Sequence, residues 1–91
     1  MITVHITAED IATGARWSAF GDPVTIAICR ATGRSLDSKD VSTSRYGIVI
    51  GSSVFPTPAL VAEFIEEFDA GHKVIPFTFD LWAPGEQEVI G

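Results

Sequence analysis

A stripe of apolar side chains near the end of the chain is the strongest structural signal in the sequence. Thr57-Pro58 precedes this stripe as a cap followed by a helix-initiating proline, and Gly71 follows it as a stop. The polar side of the same segment carries glutamates. The pattern therefore predicts an amphipathic helix that packs on a core. The apolar positions recur at helical spacing: Leu60, Val61, Phe64, Ile65 and Phe68.

Alternation of apolar and polar residues predicts a strand at each end of the chain. Residues 2–6 and 77–81 both show the period of two that is typical of a half-buried strand. Residues 41–43 and 46–50 are typical of two shorter strands, and Gly51-Ser52-Ser53 ends the second. The sequence therefore predicts four strands.

Two segments in the first half of the chain have residues that are typical of helix ends. Thr7 and Asp10 form a capping box, which predicts a short helix from Ala8 that ends by Thr13-Gly14. Residues 23–32 fit either a helix or a strand of alternating β-branched residues. We favour a helix there, because Asp22-Pro23 caps its start and Gly33 its end.

This order of elements predicts an α+β fold. We expect a four-stranded, mainly antiparallel sheet with two main helices on one face, in the βαββαβ order of ferredoxin-like or related folds. A chain of 91 residues supports one core, so residues 1–91 are predicted to form a single domain with a frayed tail at 84–91.

The sequence predicts a cytoplasmic protein. The N-terminal residues 1–6 lack the features of a signal peptide, and no apolar run approaches the ~20 residues that a membrane span needs. Cys29 is the only cysteine, so an intrachain disulfide is excluded and a reducing compartment is expected.

No catalytic, metal or cofactor site can be recognised in the sequence. Cys29 with His5 or His72 could form a nucleophile and base, but a cysteine in an apolar segment is more typical of a core residue. The histidines lack the short spacings of metal ligands, and residues 30–45 are basic without a phosphate-binding motif. We therefore expect a protein that is not an enzyme.

The net charge of −6 is concentrated in the last third of the chain. Residues 1–62 contain five acids and five bases, whereas the remaining residues contain seven acids and Lys73 alone. A surface of one sign repels nucleic acid and favours a basic protein partner, although it also serves to keep a small protein soluble. The acids in question are Glu63, Glu66, Glu67, Asp69, Asp80, Glu86 and Glu88.

Three aromatic residues stand at positions that suggest contact with a partner. Trp17 and Phe20 lie in the loop 15–21, beside Arg16, and tryptophan and arginine are enriched at binding hot spots. The alternative is that both rings cover the core. Trp82 is predicted to lie on the outer sheet face with Asp80, where it would suit a partner or a homodimer.

Several short motifs give the chain a resemblance to known sequences. It resembles a group of short, uncharacterised proteins from phages and bacterial genomes, some of which have cysteine in place of Asp22. The resemblance implies an origin near mobile elements and implies no activity. It rests on Thr7, Ile11, Gly14, Pro23-Val24, Ile26-Ala27, Phe68-Asp69-Ala70-Gly71 and Pro76-Phe77-Thr78-Phe79.

Together these features predict a small, acidic protein-binding factor in the cytoplasm of a host cell. By analogy with phage inhibitors such as anti-CRISPR proteins, its acidic surface would mimic DNA and block the basic, nucleic-acid-binding surface of a host protein. The alternative is a homo-oligomeric structural or accessory phage protein. The residues predicted to bind the partner are Glu63, Glu66, Glu67, Asp69, Asp80, Trp17, Phe20 and Trp82.

Overall fold

The structure is a computed structural model that describes residues 1–82, so the predicted tail at 84–91 and the acids Glu86 and Glu88 lie outside the described residues. Within that range the chain has an α+β fold, as predicted. In chain order its elements are β1 (Ile2–Ile6), α1 (Ala8–Thr13), α2 (Pro23–Thr32), a 3-10 helix (Leu36–Ser38), β2 (Val41–Thr43), β3 (Ile48–Ile50), β4 (Ser53–Phe55), α3 (Ala59–Asp69) and β5 (Phe77–Leu81).

The prediction of a single four-stranded sheet is wrong. Strands β1 and β5 form an antiparallel pair, and β2, β3 and β4 form a separate antiparallel sheet. The sequence analysis missed β4, which the two-residue turn Gly51-Ser52 folds back onto β3 with Gly51 in the left-handed region (φ 61°). The ferredoxin-like arrangement is therefore excluded for the described residues.

A loop explains why the two sheets stay apart. The backbone N–H of Thr43 on β2 donates to the carbonyl of Ala19, at 3.0 Å, in the loop 15–21. This bond occupies the strand edge at which a further strand would have to pair. The loop therefore covers part of the edge of β2, while β1 pairs with β5 in a separate sheet.

The helix predictions are confirmed for all three segments, with one difference in capping. The Asp22 side chain accepts from the N–H of Thr25 and caps α2, so residues 23–32 form a helix and not a strand. Thr57 does not cap α3. Its hydroxyl donates to the Ser44 carbonyl at 2.7 Å, and Pro58 stands at the cap position instead.

Both sheets contribute to one hydrophobic cluster. The inward residues of β1 pack with α2, and the ring centre of Phe64 on α3 lies 5.3 Å from that of Phe77 on β5. The residues at 0% exposure in this cluster are Val4, Val24, Ile28, Ile48, Val61 and Leu81. In the described part of the chain, no helix is long and apolar enough to span a membrane.

A buried ion pair connects the first two helices. Asp10 closes the capping box of α1 by accepting from the N–H of Thr7, and it also accepts two hydrogen bonds from Arg30 at 2.8 and 2.7 Å. Arg30 donates as well to the His5 carbonyl on β1. The hydrogen bonds from Arg30 hold the pKa of Asp10 below its ordinary value. Through its bonds to Asp10 and to the His5 carbonyl, Arg30 connects α2 with both α1 and β1.

Replacing Arg30 by methionine is expected to lower the free energy of unfolding by about 2 kcal/mol at pH 7. The change leaves the Asp10 carboxylate without its guanidinium partner, and the half-exposed position of Arg30 moderates the loss. Because the pKa of Asp10 is lowered, the pair stabilises the fold above the ordinary value of 3.8 and loses its effect as pH falls below it.

Urea unfolding of both proteins at pH 7 and well below pH 3.8 measures this difference. We expect the difference in free energy of unfolding between wild type and Arg30→Met to become smaller in acid. A difference in free energy of unfolding that stays constant with pH would show that the substitution acts through packing and not through loss of the ion pair.

Candidate partner-binding site

The loop 15–21 holds Trp17 away from the core. Hydrogen bonds from Ala15 to Gly21 and from Asp22 to Ser18 close the loop, at 2.8 and 3.0 Å. Trp17 has a left-handed backbone (φ 57°), which a non-glycine residue adopts at a cost, and its N–H donates to the Asp69 carboxylate at 2.8 Å. Its side chain is 79% exposed, so it does not form a lid over the core.

Trp17 stands at the edge of a cleft of about 600 Å³, which we call the tryptophan cleft. Its walls come from the loop 15–21, from the end of β2 and the residues after it, and from the last turns of α3. The lining residues are Trp17, Ser18, Ala19, Asp22, Thr43, Ser44, Arg45, Ile65, Glu66 and Asp69. The cleft therefore brings together parts of the chain that are far apart in sequence.

Arg45 and Tyr46 form a second part of this surface. Arg45 makes an ion pair with Glu66 of α3, and its guanidinium carbon lies 4.9 Å from the centre of the Tyr46 ring. Arg45 also donates to the Tyr46 hydroxyl at 2.7 Å, and the Tyr46 side chain is 80% exposed. Trp17 and Arg45 thus line one cleft, and Tyr46 contacts Arg45 beside it; all three are residue types enriched at binding hot spots.

The buried carboxyl of Asp22 lies against the floor of the tryptophan cleft. A chain of short contacts connects Asp22 Oδ2 to Thr43 Oγ1 (2.6 Å), Thr43 Oγ1 to Thr25 Oγ1 (2.9 Å), and Thr25 Oγ1 to the Ala19 carbonyl (2.7 Å). Each contact needs one proton, and the two threonine hydroxyls supply only two. A protonated Asp22 supplies the third and completes the chain.

The electrostatic environment of Asp22 also favours its protonated form. Burial raises the pKa of Asp22 to about 6, and the nearby Asp69 carboxylate adds to the rise, while the hydrogen bonds from Thr43 and Thr25 oppose it. The charge at the floor of the tryptophan cleft therefore changes near neutral pH.

The structure brings only some of the predicted acids to this cleft. Glu66 and Asp69 line it, whereas Glu63 and Glu67 face a different groove on the other side of α3. Asp80 lies on the outer face of the β1–β5 pair, where it accepts from Thr3 at 2.8 Å. Since the inner face of that pair packs on α3, Asp80 is not part of the acidic surface of the helix.

Part of the predicted acidic face is paired with other side chains. Glu66 is paired with Arg45, and Glu67 lies 2.5 Å from the Nδ1 atom of His72. The acids of the last third do not therefore form one continuous, unpaired negative surface among residues 1–82. The sequence analysis missed Arg45 and Tyr46 as site residues, although an exposed Arg-Tyr-Gly segment after a short strand was a usable signal.

The other predicted aromatic residues have different surroundings. Phe20 is exposed, and the Lys39 ammonium lies 5.6 Å from the centre of its ring. Trp82 follows β5 directly and is half-buried, so it is less accessible than the outer sheet position predicted for it.

The structure bears on two chemical roles considered from the sequence, a cysteine nucleophile and a metal site. Cys29 is buried in α2, and this burial raises the pKa of its thiol, which opposes formation of a nucleophilic thiolate. Among residues 1–82, no group of three or more histidine, cysteine or acidic side chains could hold a metal ion.

The fold and the cleft together define an α+β domain with a preformed surface cleft bordered by aromatic and charged side chains. Comparisons of the chain with protein families, curated proteins and solved structures found no match.

Proposed function

We propose that this protein is a non-enzymatic binding factor that docks onto a basic surface of another protein through the tryptophan cleft. The observation that carries the proposal is Trp17, whose large aromatic side chain is 79% exposed while its backbone is held by the closed loop and by the N–H bond to Asp69. A backbone that is already ordered loses less conformational entropy on binding, which favours affinity.

The charges at the cleft support a basic partner. Glu66 and Asp69 lie beside Trp17, and the whole chain has a net charge of −6. Such a surface attracts cations over a distance and orients the encounter. Arg45 gives the cleft one positive group, so the partner needs an acceptor opposite it as well as its own basic residues.

Inhibition of a host protein in the cytoplasm is the instance of this function that we propose. The resemblance to phage and bacterial proteins supports an origin near mobile elements, and an acidic factor that covers a nucleic-acid-binding surface would act as an anti-CRISPR protein does. The negative charge for such blocking would come from Asp69 and from Glu66, which would have to exchange Arg45 for a basic residue of the partner, and not from the whole last third of the chain.

Replacing Trp17 by alanine is expected to weaken capture of the partner by about 10- to 100-fold, the size typical of a hot-spot aromatic. Stability should change by less than about 0.5 kcal/mol, because the side chain is largely exposed. Quantitative affinity purification from the source cells, with immobilised wild type and variant, measures the loss.

Val54→Thr is the matched control, since Val54 is an exposed apolar residue on β4 and does not line the cleft. A protein captured by wild type and by the control, but not by Trp17→Ala, supports the proposal. Addition of wild type should then reduce nucleic-acid binding by the purified partner. Equal capture by all three forms would overturn the role of Trp17.

A further inference from the structure

A second surface feature lies on the other side of α3. Leu60 and Ile75 are each 69% exposed and border a groove of about 530 Å³ between α3 and residues 73–77. Phe64 and Phe77 line it with their rings 5.3 Å apart, and the partly buried Val74 adds to the apolar lining. We call this feature the apolar groove; it shares no lining residue with the tryptophan cleft.

The two walls of the apolar groove carry opposite charges. Leu60, Glu63, Phe64 and Glu67 recur at i, i+3, i+4 and i+7 along α3, so carboxylates alternate with apolar side chains on that wall. The facing wall contributes Lys73, and His72 next to it is bonded to Glu67. An occupant therefore meets an apolar base and an acidic wall at Glu63.

Charge distinguishes between the possible occupants. Glu63 and Glu67 outnumber Lys73 in the groove, so the groove has a net negative charge. Residues 83–91 contain Glu86 and Glu88 and no basic residue, so this net charge disfavours them as the occupant. A second copy of the chain brings the same net charge of −6. A segment with apolar side chains on one face and a lysine or arginine beside them matches both the groove and Glu63.

We propose that the apolar groove binds a short, basic amphipathic helix of a partner protein. The partner's apolar side chains fill the space between Leu60 and Ile75, and a basic residue next to them pairs with Glu63. Helices bind apolar grooves in this way through side chains at i, i+3, i+4 and i+7. This inference does not depend on the function proposed for the tryptophan cleft.

Selection from a display library of random peptides tests the inference directly. Peptides of about 15 residues, roughly four helical turns, are selected on the wild-type protein and counter-selected on Leu60→Asp. We expect enrichment of helical apolar patterns flanked by lysine or arginine. Enrichment of acidic peptides, or of no common pattern, would overturn the proposal.

Variants then locate the bound peptide. Its affinity, measured by fluorescence anisotropy, is expected to fall at least tenfold in Ile75→Asp and severalfold in Glu63→Lys, and to stay unchanged in Trp17→Ala. The substituted side chains are exposed, so the variants are expected to fold, which circular dichroism checks. Loss of binding in Trp17→Ala instead would assign the peptide to the tryptophan cleft and overturn the proposal.

Two further measurements exclude the other occupants. Sedimentation of wild type should show a monomer; a dimer that Leu60→Asp abolishes would make a second copy the occupant. Peptide affinity should be the same in the double variant Val89→Ser/Ile90→Ser as in wild type. A tenfold gain in that variant would show that the chain's own terminal segment occupies the groove.

Discussion

Asp22→Asn is expected to raise the free energy of unfolding at pH 7 by up to about 3 kcal/mol. In the native protein, burial raises the pKa of Asp22 from 3.8 to about 6, and a shift of that size corresponds to about 3 kcal/mol. Asparagine keeps the cap on α2, because its side-chain oxygen accepts from the N–H of Thr25. Its amide can also donate permanently to Thr43, which completes the proton chain.

The pH dependence of stability follows from the direction of the shift. A carboxyl with a raised native pKa contributes its full stabilisation below 3.8 and loses it as pH rises through about 6. We therefore expect Asp22→Asn to match wild type in the free energy of unfolding near pH 4 and to exceed it increasingly up to pH 7. Taking the difference between the two proteins removes the contribution of acids that do not interact with Asp22.

Denaturant unfolding of both proteins from pH 4 to pH 7 measures this effect, and Asp22→Ala is the control. Alanine removes the cap and leaves the Thr43 hydroxyl without its carboxyl partner, so it should destabilise the fold by about 2 kcal/mol near pH 4. Because alanine does not titrate either, this deficit relative to wild type should shrink as pH rises through about 6. If Asp22→Asn is less stable than wild type at pH 7, Asp22 is needed as a carboxylate and the proton count given for this chain of contacts is wrong.

Gly14→Ala is expected to lower the free energy of unfolding by about 2 kcal/mol. A methyl group at this position would lie 2.6 Å from Cδ, 2.7 Å from Cγ and 2.8 Å from the nitrogen of Pro23, so α1 and α2 would have to move apart. Overpacking of this kind typically costs 1–3 kcal/mol. The backbone of Gly14 (φ −69°) is open to any residue, so the loss would come from contact and not from backbone strain.

Gly47→Ala is the matched control for this prediction. The nearest atom to a methyl group at Gly47 is the Phe55 carbonyl oxygen at 3.8 Å, which is an ordinary contact. We expect no loss of stability there, and a gain of up to about 1 kcal/mol from the reduced freedom of the unfolded chain. Thermal unfolding of the two variants beside wild type measures both effects. Equal stability of both variants would show that Pro23 yields to the added methyl group at no cost.

Parts of the candidate site could be predicted from the sequence. The loop position of Trp17 beside Arg16 led to the prediction that it is a contact residue, and the structure shows that its side chain is exposed. The helical pattern of residues 60–68 placed Glu66 on the polar side of α3. The pairing of Glu66 with Arg45 could not be predicted, because it joins residues 21 positions apart through a side-chain contact. The bond from Trp17 to Asp69 spans 52 positions and has no sequence signal of its own.

The helices and the α+β class were determined by the sequence itself. Caps and periodicity act within a few residues, as the bonds from the N–H of Thr7 to Asp10 and from the N–H of Thr25 to Asp22 show. How the strands divide into sheets was decided by tertiary structure. Strand pairing depends on which backbone edge remains open, and the Ala19 carbonyl of the loop 15–21 covers the edge of β2.

The charge of the acidic residues likewise depends on the fold. Composition gave the net charge of −6, but only the fold places Asp80 on the far face of the β1–β5 pair and Asp22 in a buried chain of hydroxyl groups. A carboxyl responds to the groups and solvent around it, and these come from distant parts of the chain. The sequence therefore determined the number of acidic residues, and the tertiary structure decided on which surface or in which buried site each one lies.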